Sequence, residues 1–188
     1  MALTTGSDGD ESFPPAKSVH VAVTTTDMGA GDSTIPNCTG VGRDALFVRP
    51  GEVGVTCDVS YSGSLSYDGG PAAISVVESA ACVPLVFSDS SNRSGCGFEQ
   101  PLEAALKAVW PSEDSSIQFV HGRGHGTDDN RGFLRGDSLL VVIVVTDEDD
   151  CSAQDLSVFD SSSVNPNAPA INLACHYAGD KLYGVQRY

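Results

Sequence analysis

The most apolar stretch of the chain is followed directly by acidic residues. Residues 139–145, LLVVIVV, are all apolar, and residues 146–150, TDEDD, carry four carboxylates. A run of this length that is rich in β-branched residues predicts a strand buried on both faces, as in the middle of a parallel sheet. Ligands of open α/β sheets bind at the carboxyl ends of the strands, so the pattern predicts a functional position for Asp147.

Two further elements stand out in the pattern. Residues 18–26, SVHVAVTTT, alternate and predict a strand that ends at Asp27. Residues 99–109, EQPLEAALKAV, predict a helix that has Pro101 in its first turn and one apolar face, formed by Leu102, Ala105, Leu106 and Val109. Weaker patterns predict strand-like pieces at 45–48, 53–61 and 117–120, helices at 71–86 and 151–158, and a loop at 121–132.

The length of 188 residues fits a single domain. Residues 1–16 are polar with paired prolines, so we expect an N-terminal loop before a domain at 17–188. From about residue 30 to 70 the chain is rich in Gly, Ser, Asp and Pro, which predicts a long loop insertion pinned by cysteines.

The formal net charge is −15, from 25 acidic and 10 basic residues. The acids are scattered through polar segments rather than held in one tail. Nucleic acid and anionic membranes repel a polyanion, so the charge argues against both as partners. Cations are the natural counterpart of such a chain.

Six cysteines lie in loop-like sequence, with no CxxC pair and no Cys/His cluster at zinc spacing. An even number predicts three disulfides and an oxidising compartment, either the periplasm or the cell exterior. Six cysteines allow many pairings. Pairing of neighbours in order gives the expected bonds Cys38–Cys57, Cys82–Cys96 and Cys151–Cys175.

The first fifteen residues have neither the basic start nor the apolar core of a signal peptide, and no stretch is long enough to span a bilayer. Disulfides nevertheless imply export. We therefore expect this chain to be a piece of a longer exported protein whose leader lies upstream. A cytoplasmic protein with six free thiols is the alternative.

The acidic residues offer oxygen ligands only, which suits a hard divalent cation such as Mg²⁺, Mn²⁺ or Ca²⁺. Asp147 is the first candidate ligand, and Glu99, where a loop meets the predicted helix, is the second. Asp27 and Asp149 are further candidates. The alternatives are that Asp149 or Asp150 caps the next helix and that Glu99 stabilises a helix dipole.

Two other motifs predict no site. Asp58, Ser60 and Ser62 spell D-x-S-x-S, but neither a convincing strand before them nor a helix after them is predicted, which favours a loop. His121 and His125 are four residues apart, yet the glycines between them disfavour a helix. We therefore expect these histidines to be exposed to solvent.

Four segments in this order resemble the von Willebrand factor A-like domains of large exported proteins and lipoproteins of myxobacteria and related bacteria. They are VAVTTTDMGAGD, GCGFEQPLEAAL, NRGFLRGDSLL and VVIVVTDEDDCS. The resemblance covers nearly the whole chain and implies a doubly wound, mostly parallel α/β sheet. It also implies a metal-ion-dependent adhesion site at the strands' carboxyl ends. Asp147 matches the aspartate after the family's fourth strand, and Glu99 lies near a site position where other members have threonine.

The chain departs from the family at both ends. The first strand, which carries the family's D-x-S-x-S loop, has no counterpart before residue 19, and LYGVQRY resembles the entry to a further element. We therefore expect an incomplete domain with an incomplete metal site. In the family that first strand lies beside the strand at 139–145, so its loss would leave buried backbone groups unpaired, at about 1–3 kcal/mol each.

The resemblance implies a non-enzymatic binding or adhesion domain, in which a divalent cation bridges to a carboxylate on a protein or surface ligand. We expect weak or absent metal binding in this chain. One alternative is a metal-assisted hydrolase with Asp147, Asp149 and Glu99 as ligands, although no histidine is placed as its general base. The other is a purely structural surface domain stabilised by disulfides.

Overall fold

The structure is a computed structural model, and it describes residues 7–8, 11–12, 16–33, 35, 37–38, 40–49, 62–69, 79, 95–160 and 173–188. The chain divides into two compact units. The first unit comprises Met1–Val23 and Phe47–Arg93, and the second comprises Thr24–Leu46 and Ser94–Tyr188.

The described part of the first unit contains two short antiparallel ladders. Strand β1, Ser7–Asp8, pairs with β2, Glu11–Ser12, and β3, Val19–Ala22, pairs with β4, Ser64–Tyr67. In β4 the buried Leu65 and Tyr67 alternate with the exposed Ser66, as the two-residue period of a strand requires.

The strand predicted at 18–26 is confirmed by β3, although it is shorter than expected. Both ladders among the described residues are antiparallel, and the doubly wound parallel sheet stays a prediction. The strand predicted at 45–48 is wrong. Asp44 and Ala45 have φ angles of 51° and 61°, which place them in the left-handed region and end a turn there. The piece predicted at 117–120 forms no strand, and those at 53–61 and 71–86 fall outside the described residues, apart from Ser79.

Helix α1, Pro101–Val109, is the longest element of the second unit and confirms the helix predicted at 99–109. Proline suits the first turn because the N–H group that it lacks would have no acceptor within the helix at that position. The helix stops at Trp110, whose backbone is extended ahead of Pro111.

The face of α1 that is most deeply buried is not the predicted one. The predicted apolar residues are only half-buried, whereas Glu103, Ala104, Lys107 and Ala108 are buried. Residues three and four apart share one face of a helix, so these four form a single stripe. Hydropathy alone placed the helix about half a turn away from its observed orientation.

The C-terminal part of the second unit consists of short helical turns. They are helix α2, Ala174–Tyr177, and the 3₁₀ turns Leu156–Phe159, Gly179–Lys181 and Val185–Arg187. The helix predicted at 151–158 therefore begins later than expected and is a 3₁₀ turn. The carboxylate of Asp155 accepts a hydrogen bond from the N–H of Ser157 at 2.9 Å and caps it.

Two disulfides run through the hydrophobic core of the second unit. They join Cys38 to Cys96 and Cys151 to Cys175. Phe98 and Phe159 belong to the same core and pack against each other with ring centroids 4.9 Å apart. The remaining buried members of this core are Ala30, Ala153, Val158 and Ala174.

The expected bonds Cys38–Cys57 and Cys82–Cys96 are wrong, because Cys38 and Cys96 bond to each other across 58 residues of sequence. Pairing of neighbours assumed that the loop insertion closes on itself, but Ala30 and Cys38 pack in one core with Cys96 and Phe98, which lead into α1. The pair Cys151–Cys175 is the expected one. Cys57 and Cys82 lie outside the described residues.

The strand predicted at 139–145 is also wrong. These residues form no ladder, and all seven side chains are exposed, with Leu139 and Val145 each 88% exposed. A strand buried on both faces needs neighbouring strands at its edges and other elements packed on its two faces, and the described ranges supply no neighbouring strand beside this run.

Candidate functional site

Three segments that are far apart in sequence meet at the N-terminus of α1. Gln100, which is buried, joins them: its N–H donates to the carbonyl of Thr26 at 2.9 Å, and its side-chain amide donates to the carbonyl of Gly29 at 3.2 Å. Its side-chain oxygen accepts a hydrogen bond from the N–H of Ala153 at 3.1 Å. The buried Gln100 therefore joins the start of α1 to two other segments. One of them follows β3, and the other follows the acidic residues.

The first N–H groups of α1 are satisfied by a distant segment. Asp150 accepts a hydrogen bond from the N–H of Leu102 at 3.1 Å, and the hydroxyl of Ser152 accepts one from the N–H of Glu103 at 3.0 Å. That hydroxyl donates in turn to Asp150 at 2.8 Å. Asp150 is thus a helix cap, as the alternative interpretation proposed, but it caps α1 rather than the helical turn that follows it.

Glu99 lies beside the residue that precedes Asp147, although the strand that was expected to bring the two acids together is not formed. The hydroxyl of Thr146 donates to the carboxylate of Glu99, and the N–H of Cys151 donates to its carbonyl at 2.8 Å. Asp147 therefore follows directly on a residue that contacts Glu99. We call residues 146–150 the acidic loop: its two ends are anchored, while residues 147–149 between them are exposed to solvent.

Asp27 lies in the segment joined through Gln100, and its carboxylate is used in a turn. It accepts a hydrogen bond from the N–H of Gly29 at 2.9 Å. Gly42 packs so closely that a Cβ there would come within 2.2 Å of the same oxygen. This contact, together with a φ of 58°, explains why a glycine occupies position 42.

The described residues do not form a complete metal shell. Glu99 and Thr146 place two oxygen groups next to Asp147, but Asp150 is engaged in capping α1, and Asp147 and Asp149 are exposed. Within the described ranges, no group of three or more His, Cys, Asp or Glu side chains is arranged so that it could hold a metal ion. Divalent cations of this class take six or more oxygen ligands, several of them from protein in a tight site.

A second polar cluster surrounds the buried amine of Lys107. The amine is fully buried and donates to the carboxylate of Asp44 and to the carbonyl of His121. His125 contacts the other oxygen of Asp44 at 3.1 Å through Nε2, and its Nδ1 lies 3.3 Å from Asp129. A chain of four ionisable groups thus runs inward from the loop at 121–132 to α1.

Sequence patterns missed this cluster. The loop predicted at 121–132 is confirmed, but His125 is largely buried, contrary to expectation. The only signal was Lys107 on a helix with apolar neighbours, and lysines in that setting are usually exposed. Asp44 is 63 residues distant in sequence, so no local pattern connects it with Lys107.

The cluster shifts two pKa values. Burial would by itself raise the pKa of Asp44, but hydrogen bonds from His125 and Lys107 lower it below its usual value. Burial and then the charge of Lys107 lower the pKa of His121, so this imidazole is neutral in the folded protein at neutral pH.

A buried ion pair holds the C-terminal residues against α1. Arg187 donates two hydrogen bonds to the carboxylate of Glu103, at 2.7 and 2.8 Å, and its guanidinium stacks 3.7 Å from the ring of Tyr183. This two-pronged geometry is the strongest that arginine offers to a carboxylate. A cavity of about 10 Å³ lies beside Glu103 and His121. It has room for about one water molecule, so it is not a substrate pocket.

The geometry therefore describes an anchored, exposed acidic loop and two internal ion clusters. No protein-family model, curated protein or solved structure matches the chain. The von Willebrand factor A-like resemblance accordingly stays a prediction. Of the helices in the described part of the chain, none has the length and apolar character needed to cross a membrane.

Proposed function

We propose that this chain is a non-enzymatic binding domain of an exported bacterial protein, and that it meets its partner through the acidic loop. The observation that carries the proposal is the anchoring of the loop at both ends. Thr146 contacts Glu99 and Asp150 caps α1, while residues 147–149 project into solvent. A loop that is already fixed loses less conformational entropy on binding than a mobile one.

The disulfides fit the exported location. Bonds between Cys38 and Cys96 and between Cys151 and Cys175 cross the core of the second unit, and such bonds persist in oxidising compartments. A periplasmic, outer-membrane-anchored or extracellular site is our proposal for the finer location.

A divalent cation near Asp147 and Glu99 is a prediction of the von Willebrand factor A-like resemblance. Because the described donors form an incomplete shell, we expect affinities of about millimolar or weaker for Mg²⁺, Mn²⁺ and Ca²⁺. Calorimetric titration of each ion into the full chain measures this. Asp147→Ala is the test variant, and Asp137→Ala, an exposed acid outside the loop, is its matched control. Micromolar binding that Asp147→Ala abolishes and Asp137→Ala preserves would show that the shell is complete.

Binding of a partner is tested separately. The full chain is immobilised and exposed to cell-envelope extract, with and without a chelator, in comparison with the double variant Asp147→Asn and Asp149→Asn. We expect the double variant to lose the retained partner. Retention that is equal in the two chains contradicts the role of the acidic loop.

Two other functions have distinct outcomes. A metal-assisted hydrolase using Asp147, Asp149 and Glu99 predicts turnover of phosphoester or peptide substrates with added Mn²⁺, lost in Asp147→Asn. A purely structural domain is favoured by the missing three-residue metal cluster among the described residues. It predicts neither a metal response nor a retained partner.

A further inference from the structure

We propose that residues 139–145, the apolar run, are an interaction surface through which two copies of this chain pair as antiparallel β-strands. The proposal is independent of the acidic loop's function, because a different part of the surface carries it. The occupant is a second copy of the same chain.

The exposure of the apolar run follows the period of a strand. Side chains at the odd positions 139, 141, 143 and 145 are 66–88% exposed, whereas those at the even positions are 40–55% exposed. Alternation with a period of two is the signature of an extended backbone with two unlike faces. The alternation therefore fits the extended conformation that strand pairing requires.

Its backbone is available for pairing. Within the part of the chain that the structure describes, no backbone hydrogen bond joins residues 139–145 to another segment. An extended segment with unpaired N–H and C=O groups is a template for another strand. The sequence LLVVIVV contains no proline, glycine or charge that would oppose it.

The size of the patch fits a stable pair. At these exposures the run presents about 700 Å² of surface, more than the ~300–600 Å² of the largest apolar patch on a typical monomer and close to the ~800 Å² that each partner contributes to a standard interface. Apolar patches of this size are typical of surfaces that a partner covers.

Charge sets the direction of pairing and limits its extent. Charges of both signs, Arg131, Arg135 and Asp137, precede the run, whereas four acids follow it. An antiparallel pair keeps the two acidic loops at opposite ends, whereas a parallel pair aligns them. The net charge of −15 on each copy opposes the addition of a third copy, so association stops at two.

Sedimentation velocity of the full chain over a range of concentrations tests the pairing. We expect a monomer–dimer equilibrium without larger species. Ile143→Asp places a charge in the interface and should weaken the dimer by on the order of 100-fold or more. Val185→Asp changes an apolar residue that is 70% exposed elsewhere and should leave the dimer unchanged. Circular dichroism verifies that both variants are folded.

Cross-linking with a short thiol-reactive reagent tests the direction. In an antiparallel pair centred on residue 142, Val142→Cys cross-links to its own copy and Val145→Cys does not. Cross-linking of both variants indicates a parallel pair and overturns the proposal.

Hydrogen exchange completes the test. We expect amides 139–145 to exchange slowly at concentrations where the dimer forms and rapidly in Ile143→Asp. If the protein is a monomer and amides 139–145 exchange slowly, the run is covered by its own chain. If it is a monomer and these amides exchange rapidly, the run is not covered. Either result overturns the proposal, as does open-ended growth beyond two copies.

Discussion

Helix α1 and the apolar run are the two segments whose burial the sequence predicted most directly, and they have opposite fates. Helix α1 buries two charged residues, Glu103 and Lys107, along with Ala104 and Ala108. The apolar run contains no charge, and all of its side chains are exposed. The difference shows that burial depends on which groups lie opposite a segment as well as on its own hydropathy.

Partners explain the burial of the charges in α1. Lys107 has the carboxylate of Asp44 and a carbonyl, and Glu103 has the two-pronged bond from Arg187. Burying an ion costs several kcal/mol unless hydrogen-bonded partners offset the loss of hydration. The apolar run needs a neighbouring strand instead, and a single chain shows none in the described residues.

The largest expected effect comes from placing a charge in the buried stripe of α1. Ala104 is 1% exposed, so Ala104→Asp puts an unpaired carboxylate in the core and should lower the free energy of unfolding by about 3–5 kcal/mol. Urea denaturation followed by circular dichroism measures it. Ala105→Asp, at the adjacent half-buried position, is the matched control and should lower the free energy of unfolding by clearly less. Equal losses would mean that the observed orientation of the helix is wrong.

Removal of the bond between Cys38 and Cys96 should have the next largest effect. The double variant Cys38→Ala and Cys96→Ala releases a constraint across 58 residues and should destabilise the second unit by about 2–4 kcal/mol. Hydrogen exchange should accelerate in the core around Phe98 but stay unchanged in residues 139–145. A variant as stable as the parent would contradict the observed pairing of these cysteines.

A smaller, pH-dependent effect is expected at Asp44. Its pKa is lowered by His125 and Lys107 despite the opposing effect of burial, so the unfolded chain binds more protons at this residue than the folded one. The resulting stabilisation is complete above the unfolded pKa of about 4 and is lost as the pH falls through the lower folded value. Unfolding free energies measured from pH 6 to pH 3 should fall less steeply in Asp44→Asn. If the unfolding free energies of the two proteins change with pH in parallel, the ion pair of Asp44 does not contribute to this pH dependence.

The smallest effect is expected in the apolar run. Val141 is 66% exposed, so Val141→Asp should change the stability of the monomer by no more than about 0.5 kcal/mol, in contrast to the same replacement at Ala104. Urea denaturation at low protein concentration isolates the monomer. A large loss at this position would show that the run is buried within its own chain.

Local chemistry made some features predictable. Proline in the first turn marked the start of α1, β-branched alternation marked β3, and glycines marked the loop at 121–132. Glu99 lies near the acidic loop through Thr146, but the strand edge from which this proximity was expected is not formed.

The features that sequence reasoning missed depend on distant residues. The Cys38–Cys96 bond, the Asp44–Lys107 pair and the Glu103–Arg187 pair join positions 58, 63 and 84 residues apart. No local period encodes such contacts. The buried face of α1 was mispredicted for this reason, because Arg187 and Asp44 determine which side turns inward.

The order of the apolar run and the acidic loop has a consequence for solubility. Seven uncharged, mostly β-branched residues without proline are the type of segment that stacks into amyloid fibrils. In such a fibril, parallel in-register stacking would place four negative charges beside four more at every ~4.8 Å step. The acids therefore oppose parallel, in-register stacking of this segment.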